Sequence, residues 1–172
     1  MKRLQFILSC FSLIVFTVFS THAYSAEQDL SKGQLVYTPI YFQVKIRTYS
    51  KERLFSSETE MKGVARQLTT NLAVHNTDIK YPITILKADL YDLNGELLKS
   101  YLADSQEIKP LASKDFFLKA KDITEGWGGK MLIRWQSESL VNEPIIESLT
   151  FGFGGTHSVS FKTYGKPVSQ HE

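Results

Sequence analysis

Cysteine is nearly absent from this 172-residue chain, which has one, Cys10. A lone thiol closes no internal disulfide, so stability has to come from an ordinary hydrophobic core. Long apolar runs are also missing. The longest, Phe6 to Phe19, covers about 14 residues, short of the roughly 20 that span a bilayer as a helix. No Gly-x-Ser-x-Gly elbow occurs, which removes the commonest serine-hydrolase signature. The four histidines are scattered and form neither a His-x-His nor a His-Glu-x-x-His pattern, so no metal centre and no cofactor is implied. There is no internal repeat, no low-complexity segment, and no stretch with a convincing 3.6-residue period.

The N-terminus carries the clearest positive signal. Lys2 and Arg3 precede the apolar run, and small residues follow at Thr21, Ala23, Ser25 and Ala26. This is the layout of a secretory signal peptide. Cleavage after Ala23 places Thr21 at the −3 position; cleavage after Ser25 is the second choice. Ile7-Leu8-Ser9-Cys10 loosely resembles a lipobox. Most of the apolar run lies after Cys10, however, which argues against lipid anchoring there. The reading is therefore a leader over 1–23, an exported protein of the periplasm or exterior, and no transmembrane anchor after processing. Removing the leader takes away Cys10, Lys2 and Arg3. What remains has 18 basic and 18 acidic residues, and such a neutral balance gives no footprint for nucleic acid.

The remaining chain reads as β throughout. Residues 24–32 are polar and form an expected flexible arm, residues 33–166 a single domain, and residues 167–172 a tail. Leu35 to Tyr37 and Tyr41 to Ile46 form an extended stretch interrupted at Pro39, which implies a sheet edge or a bulge. Lys51 to Gly63 is charged and serine-rich, an expected loop with Leu54-Phe55 as a possible pin. Leu68, Thr70, Leu72 and Val74 alternate with Thr69, Asn71, Ala73 and His75, the period of a half-buried strand. Asn76-Thr77-Asp78 marks a turn. Ile83 to Tyr91 is the next strand, and Asn94-Gly95 predicts a hairpin returning through Glu96 to Leu102. Gln106 to Ile108 and Phe116 to Leu118 flank a turn at Pro110 to Ser113. The loop Glu125-Gly126-Trp127-Gly128-Gly129 precedes Met131 to Trp135. Ile145 to Phe153 and Val159 to Tyr164 close the chain around Gly154-Gly155. About eight or nine short strands with regular turns predict an antiparallel β-sandwich of immunoglobulin-like size.

Several of these segments together resemble a bacterial family, domain-of-unknown-function family 3124. They are Val36 to Tyr41, Leu72 to Asp78, Pro82 to Ile85, Tyr91 to Gly95, Val141-Asn142-Glu143-Pro144-Ile145-Ile146-Glu147 and Ser158 to Phe161. The resemblance implies an exported or lipid-anchored protein with one β domain and implies no activity. Two positions depart from the family pattern: Trp127 stands where small residues are expected, and His157 where a glutamine-like residue is expected. More distantly, the alternation around the Asn-Thr-Asp turn is similar to sensory-rhodopsin transducer proteins, which are oligomeric β-sandwich modules.

Five residues are candidates for binding. Trp127, in a glycine-rich loop, either stacks on a ligand or caps the open end of the core. Asn142 and Glu143 open a turn at Pro144, and Glu147 lies four residues on, where a strand would return to the same face. His157 lies beside the Gly-Gly turn. Glu143 and Glu147 admit acid–base chemistry, but a structural turn explains them as well. Asp89, Asp92 and Asn94 have a spacing reminiscent of a calcium loop and lack the remaining ligands; a hairpin accounts for them. Trp135 belongs in the core, and of Phe116 and Phe117 one should be exposed. The functional expectation is a non-catalytic module that binds an envelope protein or glycan. The alternatives are an envelope hydrolase using paired carboxylates, and a structural assembly subunit associating through sheet edges near Pro39 or the Ile145 strand.

Overall fold

Strand alternation becomes a pair of facing sheets in the computed structural model, which describes residues 30–47, 63–122, 126–154 and 157–170. The leader, Leu54-Phe55 and His171 lie outside the described residues. Twelve strands are present among them: β1 (Leu30–Tyr41), β2 (Gln43–Arg47), β3 (Gly63–Gln67), β4 (Thr69–His75), β5 (Ile83–Tyr91), β6 (Leu97–Ser100), β7 (Gln106–Ile108), β8 (Ser113–Leu118), β9 (Gly128–Asn142), β10 (Ile145–Gly154), β11 (His157–Tyr164) and β12 (Lys166–Gln170). One sheet runs β12-β1-β9-β5-β6, with β7 also on β5; the other runs β11-β10-β4-β8; β2 and β3 form a separate ribbon. Every pairing is antiparallel. The all-β sandwich read from the alternation is the fold, with more strands than the eight or nine expected.

The core lies between the sheets. Val36 and Ile40 face inward from β1, Met131, Ile133 and Trp135 from β9, Leu72 and Val74 from β4, and Phe116 and Leu118 from β8. Trp135 is 1% exposed. Phe116 is buried while Phe117 is exposed, as period-two geometry requires. In β5 the phase changes midway: Ile83 and Ile85 are buried, then Ala88 and Leu90. A bulge between Ile85 and Lys87 causes the shift, because one extra residue turns every later side chain over.

Three local readings are refined. Pro39 lies inside β1, but β12 accompanies β1 only over Gln34–Tyr37, so the strand is locally an edge at the proline. The Asn94-Gly95 turn holds only Gly95 at positive φ (92°). The Gly95 amide donates to the Asp92 carbonyl, and the Asp92 amide to the Glu96 carbonyl, the pattern of a type I turn closed by a left-handed glycine. Strand pairing also runs past the expected domain bounds. Residues 30–32 belong to β1, and residues 167–170 of the expected tail pair with β1 as β12. Pro167 is tolerated there because β12 is an outer strand.

The far end of the sandwich is fastened by Asn76-Thr77-Asp78. Asn76 is 2% exposed. Its side-chain amide donates to the carbonyls of Tyr81 (2.9 Å), Ile108 (3.2 Å) and Lys109 (3.1 Å), and its oxygen accepts from the Asp78 amide. The Thr77 hydroxyl donates to the Glu143 carbonyl at 2.9 Å. The Asp78 carboxylate accepts from the amides of Lys80 and Tyr81, both at 2.8 Å, and of Asn142 at 3.2 Å. One tripeptide thus ties the β4 end to the β4–β5, β7–β8 and β9–β10 connections. Leu111, at a positive φ of 59°, sits in the same junction and donates its amide to the Asp78 carbonyl.

Asn76→Ala is predicted to destabilise the fold by about 3 kcal/mol, since it strips hydrogen bonds from three carbonyls at a buried position. Urea denaturation checks this, and a loss under about 1 kcal/mol would remove the junction from its central place. The backbone amides of Tyr81 and Lys80, with Asn142 adding less, hold the Asp78 carboxyl below its ordinary value of 3.8 against the opposing effect of burial. A lowered folded-state pKa makes this contribution complete above the ordinary value; it is lost as pH falls through the lowered one. Asp78→Asn is therefore predicted to flatten the acid limb of stability below about pH 4, measured by urea midpoints across pH.

Candidate functional site

β9 carries the two ends of the story. It begins beside Trp127 and ends at Asn142, and the β1 residues opposite its two ends, Tyr41 and Leu30, are roughly 36 Å apart at about 3.3 Å per residue. The candidate residues consequently do not form one site. Asn142 and Glu143 belong to the polar junction: the Asn142 amide donates to Asp78, and the Glu143 carboxylate accepts from the Gln34 side-chain amide. Glu147 stands on β10 and accepts from Lys162 at 2.8 Å. The two carboxylates are thus engaged by different partners, Glu143 by β1 of one sheet and Glu147 by β11 of the other. The His157 backbone pairs with Gly154 at the start of β11. Asp92 accepts from the Glu96 amide at 2.8 Å, which is hairpin bonding. His75 Nδ1 lies 2.6 Å from the Ser113 hydroxyl across β4 and β8. Among the described residues no group of three or more His, Cys, Asp and Glu is placed to hold a metal ion.

Of the edges singled out for assembly, β1 is an edge at Pro39, and β10 is paired on both sides, by β4 and β11, over residues 147–151. The Pro39 carbonyl accepts from the Thr163 hydroxyl at 3.0 Å.

Trp127 is placed differently. It is 53% exposed, and its ring stacks on Tyr41 with centroids 5.6 Å apart and planes 17° from parallel. Tyr41 in turn meets Phe161 edge-on at 5.4 Å. These three rings wall an open groove of about 380 Å³, completed by Leu68 and by Gln43, Val44 and Lys45 of β2. The local backbone explains the placement. Gly126 has φ +90° and Gly128 lies so close to β1 that a Cβ would meet the Ile40 carbonyl oxygen at 2.6 Å. Both positions therefore demand glycine. The Trp127 carbonyl accepts from the amides of Phe42 and Gln43, which anchors its backbone and leaves the ring at the surface.

Sequence reasoning located Trp127 and missed Tyr41 and Phe161. Tyr41 sits at the end of β1 opposite Gly128, and Phe161 on β11 opposite Thr150. Each looked like an ordinary strand aromatic. Only the register, which pairs strands far apart in sequence, brings them to Trp127.

Fold and site together define a β-sandwich with an aromatic groove at one end and a hydrogen-bonded polar junction at the other. The chain belongs to the family described as Protein of unknown function (DUF3124), whose profile matches residues 33–168. A search of curated proteins returns no match. Among solved structures, the crystal structure of Thermotoga maritima 1070 is similar at 13% identity and a TM-score of 0.41, over 77% of this chain and 92% of that one.

The two tryptophans differ sharply in access, which predicts their quenching. Iodide is expected to quench Trp127 and to leave Trp135 untouched. Trp127→Phe should then remove the quenchable emission while the melting temperature changes little, because the ring is half exposed. Emission that stays quenchable in that variant would place Trp135 at the surface instead.

Proposed function

We propose that the protein is a non-catalytic protein-binding module of the cell envelope, exported by its leader and cut after Ala23. The carrying observation is the Trp127 ring held half-exposed on Tyr41 above an apolar groove. Exposed tryptophan and tyrosine on a rigid support are the side chains that most often dominate protein interfaces. Their backbone supports are fixed, so little ordering entropy opposes binding. The leader pattern supports the envelope location.

A glycan fits the groove less well. Sugar hydroxyls require several directed hydrogen bonds, and three of the seven lining residues, Val44, Leu68 and Phe161, offer no polar side-chain group. The hydrolase reading is weakened by the separate engagement of Glu143 and Glu147.

The test is affinity capture from envelope extracts with the processed protein and its Trp127→Ala variant. Loss of the anchor should weaken capture of the true partner at least about tenfold, corresponding to roughly 1.4 kcal/mol. Equal capture by both forms would move the site elsewhere. A Trp127 emission shift that saturates with cell-wall glycan fragments, and with no protein, would replace the partner class with sugar.

A further inference from the structure

The groove touches three consecutive residues of β2. Along a strand, Gln43 and Lys45 point to one face and Val44 to the other. A groove that reaches all three therefore lies along the edge of the strand rather than over one face. Among the described residues β2 pairs only with β3, and no described strand lies along its other side.

The direction of the backbone groups follows from two bonds. The Gln43 amide donates to the Trp127 carbonyl, on the side away from β3. The Phe42 carbonyl accepts from the Leu68 amide, on the β3 side. Alternation then aims the Lys45 amide and carbonyl outward beside the groove, next to the Gln43 carbonyl. An incoming strand would find donors and acceptors waiting there, with Trp127 at the end of the row.

Charge narrows the occupant. Of the side chains described on the ribbon, Lys45 on β2 and Arg66 on β3 are basic and none is a carboxylate. This local basic excess occurs in a chain that is neutral without its leader. We infer that β2 is an augmentation edge, to which an extended, acidic segment of a partner protein adds as a strand, seating an apolar or aromatic side chain against Trp127. Strand addition of this kind draws affinity from main-chain bonds and specificity from alternate side-chain pockets. The inference rests on the protein-binding reading and specifies its partner chemistry.

The experiment uses synthetic nine-residue peptides that alternate Phe or Leu with Glu, matched peptides with Lys in place of Glu, and versions N-methylated at alternate amides. Binding to the processed protein is read by Trp127 emission and by calorimetry. The acidic peptides should bind at least tenfold more tightly than the basic ones. Methylation of one alternate set should cost at least tenfold, and methylation of the other set little. Lys45→Pro removes only an outward-facing amide and should cost at least tenfold, with the far-ultraviolet dichroism unchanged. Lys45→Glu should reduce acidic-peptide binding and improve basic-peptide binding, and it keeps the test decisive if the proline variant fails to fold. Binding that ignores methylation and Lys45 charge but disappears in Trp127→Ala would overturn strand addition and leave the groove reading standing. Binding lost in Lys45→Pro and kept in Trp127→Ala would instead overturn the groove reading. A dimer on sedimentation that Lys45→Pro dissolves would overturn the partner segment in favour of a second copy.

Discussion

The Asn76-Thr77-Asp78 junction is the constraint on which the remaining structure depends. A sandwich without disulfides must keep two twisted sheets in register using core packing and whatever the connections supply. Here one buried amide and one carboxylate collect backbone groups from the β4–β5, β7–β8 and β9–β10 connections. These connections lead to strands of both sheets. Each buried main-chain group that lacks a strand partner needs another one, and the tripeptide provides several at once. With this end fastened, the opposite end is free to open into the groove around Trp127.

The junction also explains why the Asn142-Glu143-Pro144 turn attracted attention as a site. Its backbone amide and carbonyl are bonding partners of Asp78 and Thr77, and the Glu143 carboxylate accepts from the Gln34 side-chain amide, so the turn is part of the fastening. The distinctive Val141 to Glu147 run is a fastening segment at the end remote from the groove. Trp127 has the opposite character. Its side chain contributes little to the core, yet two glycines and two backbone bonds hold it in place. A large apolar ring kept at the surface by such support marks an interaction site more plainly than a hydrogen-bonded polar turn does.

Much of the fold was legible because period-two burial and turn chemistry are local. The strands around Leu72, Ile83 and Phe151, the Asn94-Gly95 hairpin and the burial of Trp135 all follow from neighbours in sequence. Register and bulges were not legible. Nothing local announces the bulge after Ile85 that turns Ala88 and Leu90 inward, or the pairing of 167–170 with β1. The site divided along the same line. Trp127 stood out through its glycine-rich setting, which is local. Tyr41 and Phe161 join it only through the pairing of β1 with β9 and of β10 with β11. Glu143 and Glu147 show the reverse case. Spacing placed them together, while each is bonded to a partner on a different sheet, Gln34 and Lys162.

The central claim is that the groove end of the sandwich, and not the junction end or either outer face, meets a protein in the envelope. Site-specific photo-crosslinking in living cells tests it most directly, with a benzophenone side chain placed at Val44 in the groove and, for comparison, at exposed Leu97 on β6 and exposed Ile79 in the β4–β5 connection. The account predicts a discrete protein adduct from position 44 that is lost when Trp127 is replaced by alanine, and none from positions 79 and 97. Adducts from 79 or 97 with none from 44 would contradict it.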